Sequence, residues 1–383
     1  MSYKETDGPA GRYVEAMLEM VDEIEGQMDG IVEIAEDAAD RVLAGGKLYA
    51  AEDGASFVSE ACSRAGGTMI TAPAPAPSEI GKGDVVIAGT LDRKIAEQTA
   101  QLRAFREGGA RVILCGSAES ALKGQTDSIV ATGLPAGTAP LLEGREGKIC
   151  PGGATANITA LWALTAEFIG ACTRRGKMPT MWQSVFLPGN KERNPKYLGK
   201  PFHGEEFDIP PMAPGGVGRT FLSAVRRSFV GIQGTQLGLF GEAGAVGAKA
   251  LKGGGKVWCN AIGHHMGDQM GQAGDPGVLT TVEKAGDAIG SGDAYVMVGY
   301  YHSPEEELAT VRAAGIPSIW INGGREQVPI EPQPGEIHID PYWEFGDSVV
   351  MIPGYDIRTL PPSGIVQTAA WWMVAGEIAQ AMA

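Results

Sequence analysis

The sequence predicts an α/β protein made of two doubly wound parallel-sheet domains in tandem. Three observations predict it: an internal repeat, strands alternating with helices in each half, and glycine punctuation recurring in register. Gly45-Gly46-Lys47-Leu48-Tyr49 returns as Gly254-Gly255-Lys256-Val257-Trp258, an offset of 209 residues. Gly81-Lys82-Gly83-Asp84 returns as Gly290-Ser291-Gly292-Asp293 at the same offset. Arg64-Ala65-Gly66-Gly67 matches Gln272-Ala273-Gly274-Asp275 at 208, and Pro151-Gly152-Gly153 matches Pro362-Ser363-Gly364 at 211. Glu167 and Glu377, each inside an apolar helix pattern, fall 210 apart. One short match could be chance, but an ordered series at nearly constant spacing indicates duplication.

Each copy reads alike. A long amphipathic helix comes first, over Tyr13–Leu43 and Arg219–Leu251, and Gly-Gly closes it, as suits a helix C-terminus. Short β-rich runs follow at Lys47–Ala51 and Lys256–Ala261, each leading through a loop into a helix. The Gly-x-Gly-Asp turn delivers second strands at Val85–Ala88 and Ala294–Val298, then helices at Arg93–Glu107 and Pro304–Ala313. Third strands are expected at Arg111–Cys115 and Ser318–Ile321, and fourth strands near Ser128–Ala131 and Ser348–Ile352. Closing helices are expected at Ala154–Arg174 and Gly364–Ala381. This alternation demands a parallel sheet with helices on both faces. The predicted organisation is a first domain over 1–186, a Pro- and Gly-rich linker over 187–218 and a second domain over 219–383.

Composition narrows the function. The 383 residues carry 46 acidic and 31 basic side chains, a net charge of −15, which repels nucleic acid and anionic lipid. It leaves room for a small anionic ligand, because backbone N–H groups at a helix start bind anions without net basic charge. The five scattered cysteines make no C-x-x-C pair, which fits a reducing compartment and a cytoplasmic location. Neither a signal peptide nor a membrane span is read. No cofactor is expected, and the glycine series Gly234, Gly238, Gly241, Gly244 and Gly247 suggests a close helix–helix contact between copies or between subunits of a dimer.

Both halves resemble SIS (sugar isomerase) domains, whose fold is flavodoxin-like. Gly46-Lys47-Leu48-Tyr49 through Gly54-Ala55-Ser56 and Arg64-Ala65-Gly66-Gly67 is similar to the family's first loop and helix. Gly83-Asp84 through Ala110-Arg111-Val112-Ile113-Leu114 is similar to its second loop, helix and strand. Arg175-Gly176-Lys177-Met178-Pro179 with Gln183-Ser184 resembles the tail of one subgroup, and Gly263-His264-His265 stands where that subgroup carries Gly-His-Ser. The resemblance implies a sugar or sugar phosphate as ligand and aldose–ketose isomerisation as an activity. The family's Ser-x-Ser-Gly-x-Thr loop is replaced by Gly89-Thr90-Leu91-Asp92-Arg93 in the first copy and His302-Ser303-Pro304-Glu305-Glu306 in the second. Either loop offers phosphate a weaker grip.

The expected ligand contacts are Gly54, Ser56, Thr90, Asp92, His302 and Ser303. The expected catalytic groups are Glu60, His264 and His265. Ser56 either binds an anion or caps a helix, and Thr90 and Ser303 pose the same choice. For Ser303 the capping role is favoured, since Pro304, Glu305 and Glu306 follow it. Glu60 stands one helical turn after Ser56, placed to act as a general base or to lie on a solvated face. His264 and His265 either open a sugar ring, bind a metal with Asp268, or make polar loop contacts. Glu167 and Glu377, carboxylates in apolar helices, each either have a partner or face a pocket, and their repetition favours a shared structural partner; Trp162, Trp371 and Trp372 are most simply core. Three functions follow: a phosphosugar isomerase or related enzyme, a non-catalytic sugar or sugar-phosphate sensor, and a scaffold with decayed sites.

Overall fold

A computed structural model describes residues 8–54, 56–261, 269–299, 305–323 and 331–383. The first copy contains α1 (Pro9–Gly26), α2 (Met28–Leu43), β1 (Leu48–Glu52), α3 (Phe57–Ser63), β2 (Thr71–Pro73), β3 (Val85–Gly89), α4 (Ile95–Glu107), β4 (Arg111–Gly116), β5 (Ser128–Ala131), the hairpin β6 (Pro140–Gly144) and β7 (Gly147–Pro151), and α5 (Gly153–Arg174). A connecting segment carries α6 (Asn190–Tyr197). The second copy contains α7 (Gly216–Thr235), α8 (Leu237–Lys252), β8 (Val257–Ala261), β9 (Thr280–Thr281), β10 (Ala294–Gly299), α9 (Glu305–Ala314), β11 (Ser318–Asn322), β12 (Glu336–Ile339), the hairpin β13 (Val350–Met351) and β14 (Arg358–Thr359), and α10 (Ser363–Met382).

The two main sheets have one topology. The first runs β2-β1-β3-β4-β5 and the second β12-β11-β10-β8-β9, the same order read from the opposite edge, and every pair is parallel. This is the doubly wound arrangement expected. The strand turns are fastened identically: Asp84 accepts from the Lys47 and Gly81 N–H groups, both at 2.8 Å, and Asp293 accepts from those of Lys256 and Gly290, both at 2.8 Å. The repeated glycine before each first strand has no room for a side chain. A Cβ on Gly46 would lie 2.1 Å from the Gly83 carbonyl oxygen, and one on Gly255 2.3 Å from that of Gly292. Gly46→Ala is expected to cost on the order of 2 kcal/mol, and Gly255→Ala a similar amount, in a denaturant melt.

Three expectations need correction. Each long first helix is two helices, broken at Gln27 and at Gln236. Both glutamines turn their side chains to the edge of a main sheet: Gln27 Oε1 accepts from Ala131 N at 3.1 Å, and Gln236 Oε1 accepts from Asp340 N at 3.1 Å. The fourth strand of the second copy is β12, not Ser348–Ile352; Val350 and Met351 pair antiparallel with Arg358 and Thr359 in the small hairpin. The glycine series packs within one copy: a Cβ on Gly244 or Gly247 would strike Glu377 or Ile378 of α10, while Gly234 and Gly241 meet nothing within 4 Å.

The first helices of the two copies are exchanged. α1 packs on α10 of the second copy and α7 on α5 of the first, while α2 stays with α5 and α8 with α10. The repeated carboxylates secure the exchange. Glu167 on α5 is fully buried and accepts from Gly215 N (2.9 Å) and Gly218 N (2.7 Å) at the start of α7. Glu377 on α10 accepts from Ala10 N (2.9 Å) at the start of α1. A carboxylate at a helix start meets both the unpaired N–H groups and the positive end of the helix dipole. One apolar cluster accordingly runs through both copies, with Trp162, Trp371 and Trp372 inside it. Smaller clusters around Phe105 and Trp320 fill the far faces of the two sheets.

Candidate functional site at the junction of the copies

The parallel register sets the stage. Glu52 of β1 pairs with Gly89 of β3, so the residues that follow each strand lie side by side at one end of the sheet. Gly54 follows β1 with φ +119°, a conformation that favours glycine, and a Cβ there would lie 3.5 Å from the Arg93 guanidinium. Ser56 is buried at φ 70° directly before α3, with no side-chain bond to the helix start, so it is not a conventional cap.

Thr90 is buried too. Its hydroxyl is 2.8 Å from Gln98 Oε1 and accepts from Asp92 N at 3.0 Å, so its single proton goes to Gln98. Asp92, at φ 51°, accepts from the Ser120 hydroxyl at 2.7 Å. Asn157 at the start of α5 donates to the Thr90 carbonyl at 2.7 Å. The loop after β3 is thereby tied to β4's loop and to α5. His264, His265, His302 and Ser303 lie outside the described residues, as does Asp268.

Glu60 is 2% exposed, so the solvated-face alternative fails. Its Oε2 lies 3.4 Å from Arg64 Nε, one turn along and just beyond α3. The Arg64 guanidinium reaches into the second copy, 2.8 Å from Asp347 Oδ2 and 2.5 Å from the Ser363 hydroxyl. Gly364 admits Glu60 closely: a Cβ there would lie 2.6 Å from Glu60 Oε1. Glu60, Arg64, Asp347 and Ser363 thus form one buried polar cluster shared by the two copies. Burial pushes the Asp347 carboxyl up to about 6, against the opposing pull of Arg64 and with the Glu60 charge adding to the rise. A cavity of about 400 Å³ opens beside it, lined by Arg64, Asp347, Trp182, Gln183, Ser184 and Asn194. Asp347 stands on its wall, and Glu60 sits behind the guanidinium.

Among the described residues, three members of the cluster are not kept at the other junction, and the position matching Glu60 lies outside them. Arg64 is matched by Gln272 in the repeat. Asp347 at φ 50° is matched by Ala139, also at φ 50°. Ser363 is matched by a glycine either way, Gly152 in the sequence repeat and Gly153 by its place as first residue of the closing helix. The surrounding backbone is kept: Leu360 N donates to Gly66 O, and Cys150 N to Gly274 O. The two junctions share a frame and differ in chemistry.

Three of these residues escaped the sequence reading as site residues. Arg64 stands in the Arg-Ala-Gly-Gly motif but drew attention only as a family marker. Asp347 lies beside a segment taken for a strand. Ser363 was read only as part of the Pro362-Ser363-Gly364 repeat before the last helix.

Solved structures resemble the whole chain. The C-terminal domain of glucosamine-fructose-6-phosphate aminotransferase from Francisella tularensis superposes with a TM-score of 0.50 at 11% identity, over 95% of this chain and 96% of that one. A protein from Salmonella typhimurium LT2 assigned to sugar binding gives 0.51 at 11% identity, over 97% and 99%. The fold is that of two tandem SIS domains. No protein-family model matches the sequence, nor does any curated protein sequence. Among the described residues, no helix of this SIS-fold chain is long and apolar enough to cross a membrane.

Proposed function

We propose that this tandem SIS protein binds a sugar or sugar derivative in the cavity between its copies and isomerises it between aldose and ketose forms. The observation that carries the reading is the Glu60–Arg64–Asp347 cluster, two carboxylates bridged by a guanidinium at the wall of a sugar-sized cavity. Aldose–ketose isomerisation moves one proton from C2 to C1 and one between the two oxygens, with no redox partner. It needs a base and an acid that both exchange protons near neutral pH. Asp347, raised to about 6, meets that requirement at the cavity wall, and Glu60 supplies the second carboxylate. Arg64 would hold a developing enediolate oxygen. Gly54, Ser56, Thr90 and Asp92, and His264, His265, His302 and Ser303 from the second copy, are proposed as further ligand contacts, although the first four do not line the cavity at Asp347. The protein is proposed to be cytoplasmic and dimeric, with domains over 1–186 and 219–383 and a linker between.

A non-catalytic sugar sensor is the second reading. It is favoured by the closed bonding of Arg64, whose guanidinium already meets two carboxylates and the Ser363 hydroxyl. A thermal-shift screen against neutral sugars and sugar phosphates, followed by an isomerase assay on whatever binds, separates the two. Turnover abolished in both Glu60→Gln and Asp347→Asn, with binding kept, is the expected result. Loss in Asp347→Asn alone removes Glu60 as base, and binding without turnover in the wild type leaves the sensor.

A further inference from the structure

The connecting segment is fastened to the second copy through one buried aromatic box. His203 is 5% exposed and lies edge-on to Tyr197, Phe207 and Tyr355, with ring centroids 4.3, 4.8 and 5.3 Å away. Tyr355 and Asp356 belong to the turn between β13 and β14. Arg193 of α6 donates to the Tyr355 hydroxyl at 2.8 Å, to both Asp356 carboxylate oxygens, and to the Met181 carbonyl at 2.7 Å. Asn194 beside it exchanges two hydrogen bonds with the Gln183 backbone, both 2.9 Å. His203 N donates to Met178 O at 2.9 Å. The box therefore holds 178–183, and with it Trp182, Gln183 and Asn194 on the wall of the cavity at Asp347.

The protons in the box have one consistent arrangement. His203 Nδ1 faces Glu206 Oε1 at 3.1 Å, and Nε2 faces the Tyr355 hydroxyl at 2.8 Å. An ionised carboxylate only accepts, so Nδ1 carries the imidazole proton. A guanidinium only donates, so the Tyr355 hydroxyl accepts from Arg193 and sends its own proton to Nε2. The chain of bonds runs from Arg193 through Tyr355 and His203 to Glu206, and it closes only on a neutral imidazole. A proton added to Nε2 would point at the Tyr355 oxygen and strand the hydroxyl proton of a residue only 6% exposed. It would also place a second cation near Arg193. The Glu206 and Asp356 carboxylates oppose this, while Lys196 and Lys200 stand farther out, 4.8 and 5.9 Å from the Tyr197 ring centroid. Burial, with Arg193 adding to it, outweighs the pull of the two carboxylates and lowers the imidazole from its ordinary value.

We propose that His203 is a pH-sensitive latch: neutral, it pins the connecting segment onto the β13–β14 hairpin, and protonated, it frees the segment and the cavity wall that the segment carries. The device does not depend on what the cavity binds. Because folding lowers the imidazole, its contribution is complete above the unfolded value near 6.5 and is lost as pH falls below it. Asp347, raised to about 6, titrates in the same window with the opposite sign.

Amide hydrogen exchange on the full chain reads the latch. Protection of α6 and of 200–207, corrected for the intrinsic exchange rate at each pH, should fall on the order of tenfold from about pH 7.5 to about pH 5, while β3 and β10 keep theirs. His203→Gln, whose side chain can still accept from Tyr355 but takes no proton, should abolish the fall, and Asp347→Asn should leave it in place. A flat wild-type profile overturns the proposal, as does a fall that survives His203→Gln or vanishes in Asp347→Asn. Should His203→Gln not fold, the wild-type imidazole nitrogen resonances decide. An Nδ1–H tautomer at about pH 7.5 that titrates in step with the loss of protection supports the latch. An Nε2–H tautomer, or titration out of step, overturns it.

Discussion

Glu167→Ala is expected to lower the unfolding free energy by about 3–5 kcal/mol. The substitution leaves the Gly215 and Gly218 N–H groups at the start of α7 without their acceptor, in a place closed to water. Hydrogen bonds to a charged group are worth about 1.5–3 kcal/mol each, and a stranded buried donor costs about 1–3 kcal/mol. The cavity left by the side chain adds to this. Glu167→Gln is the informative control, since one amide oxygen can serve only part of the pair and its NH₂ faces a donor. Chemical denaturation should rank wild type above Gln above Ala. Equal stability of wild type and Ala would mean that α7 is held by apolar packing alone.

Arg64→Met is the second large effect, also expected at about 3–5 kcal/mol near pH 7, because removing one partner of a buried ionic group strands the others. Here two carboxylates remain, Glu60 at 2% and Asp347 at 1% exposure, on opposite sides of the copy junction. The sign of the pH dependence follows from Asp347. Its carboxyl is already raised, from 3.8 to about 6, with Arg64 in place. A carboxyl raised by folding contributes most when protonated, at or below its unfolded value near 3.8, and that contribution is lost as pH rises through about 6. Losing the guanidinium pushes the carboxyl higher still. The penalty of Arg64→Met should therefore shrink as pH falls from 7 to 4. A penalty that is flat across this window would show that packing of the long side chain, not charge, is what Arg64 supplies.

Much of this architecture is legible in the residues. The Gly-Gly-Lys and Gly-x-Gly-Asp repeats locate β1, β3, β8 and β10, because each repeated aspartate fastens the same two backbone N–H groups. The breaks at Gln27 and Gln236 are not legible, since both flanking helices keep an apolar face and the break depends on a glutamine reaching a distant sheet edge. β12 escaped because a four-residue strand carrying Glu336 and His338 lacks the apolar run that marked the others. The helix exchange is invisible for a deeper reason: periodicity shows that Tyr13, Val14, Met17 and Val21 face a core, never whose core it is. Glu60, singled out in the sequence as a candidate base, is buried in the cluster, but the bridge from Arg64 to Asp347 spans 283 residues, and no local pattern links them.

The exchanged helices also set a schedule for the nascent chain. α1 emerges from the ribosome first among the described helices, with Tyr13, Val14, Met17, Met20, Val21 and Ile24 all destined for burial. Its main partner, α10, begins at Ser363. At about 5–20 residues per second, that apolar stripe waits on the order of 20–70 s for its seat. The first half cannot finish folding while the second is unmade, and a ribosome stalled after α5 would present all five strands of the first sheet with one helix unhoused. Such a chain invites holding by a chaperone, or pairing with a second stalled copy through the same vacant seat.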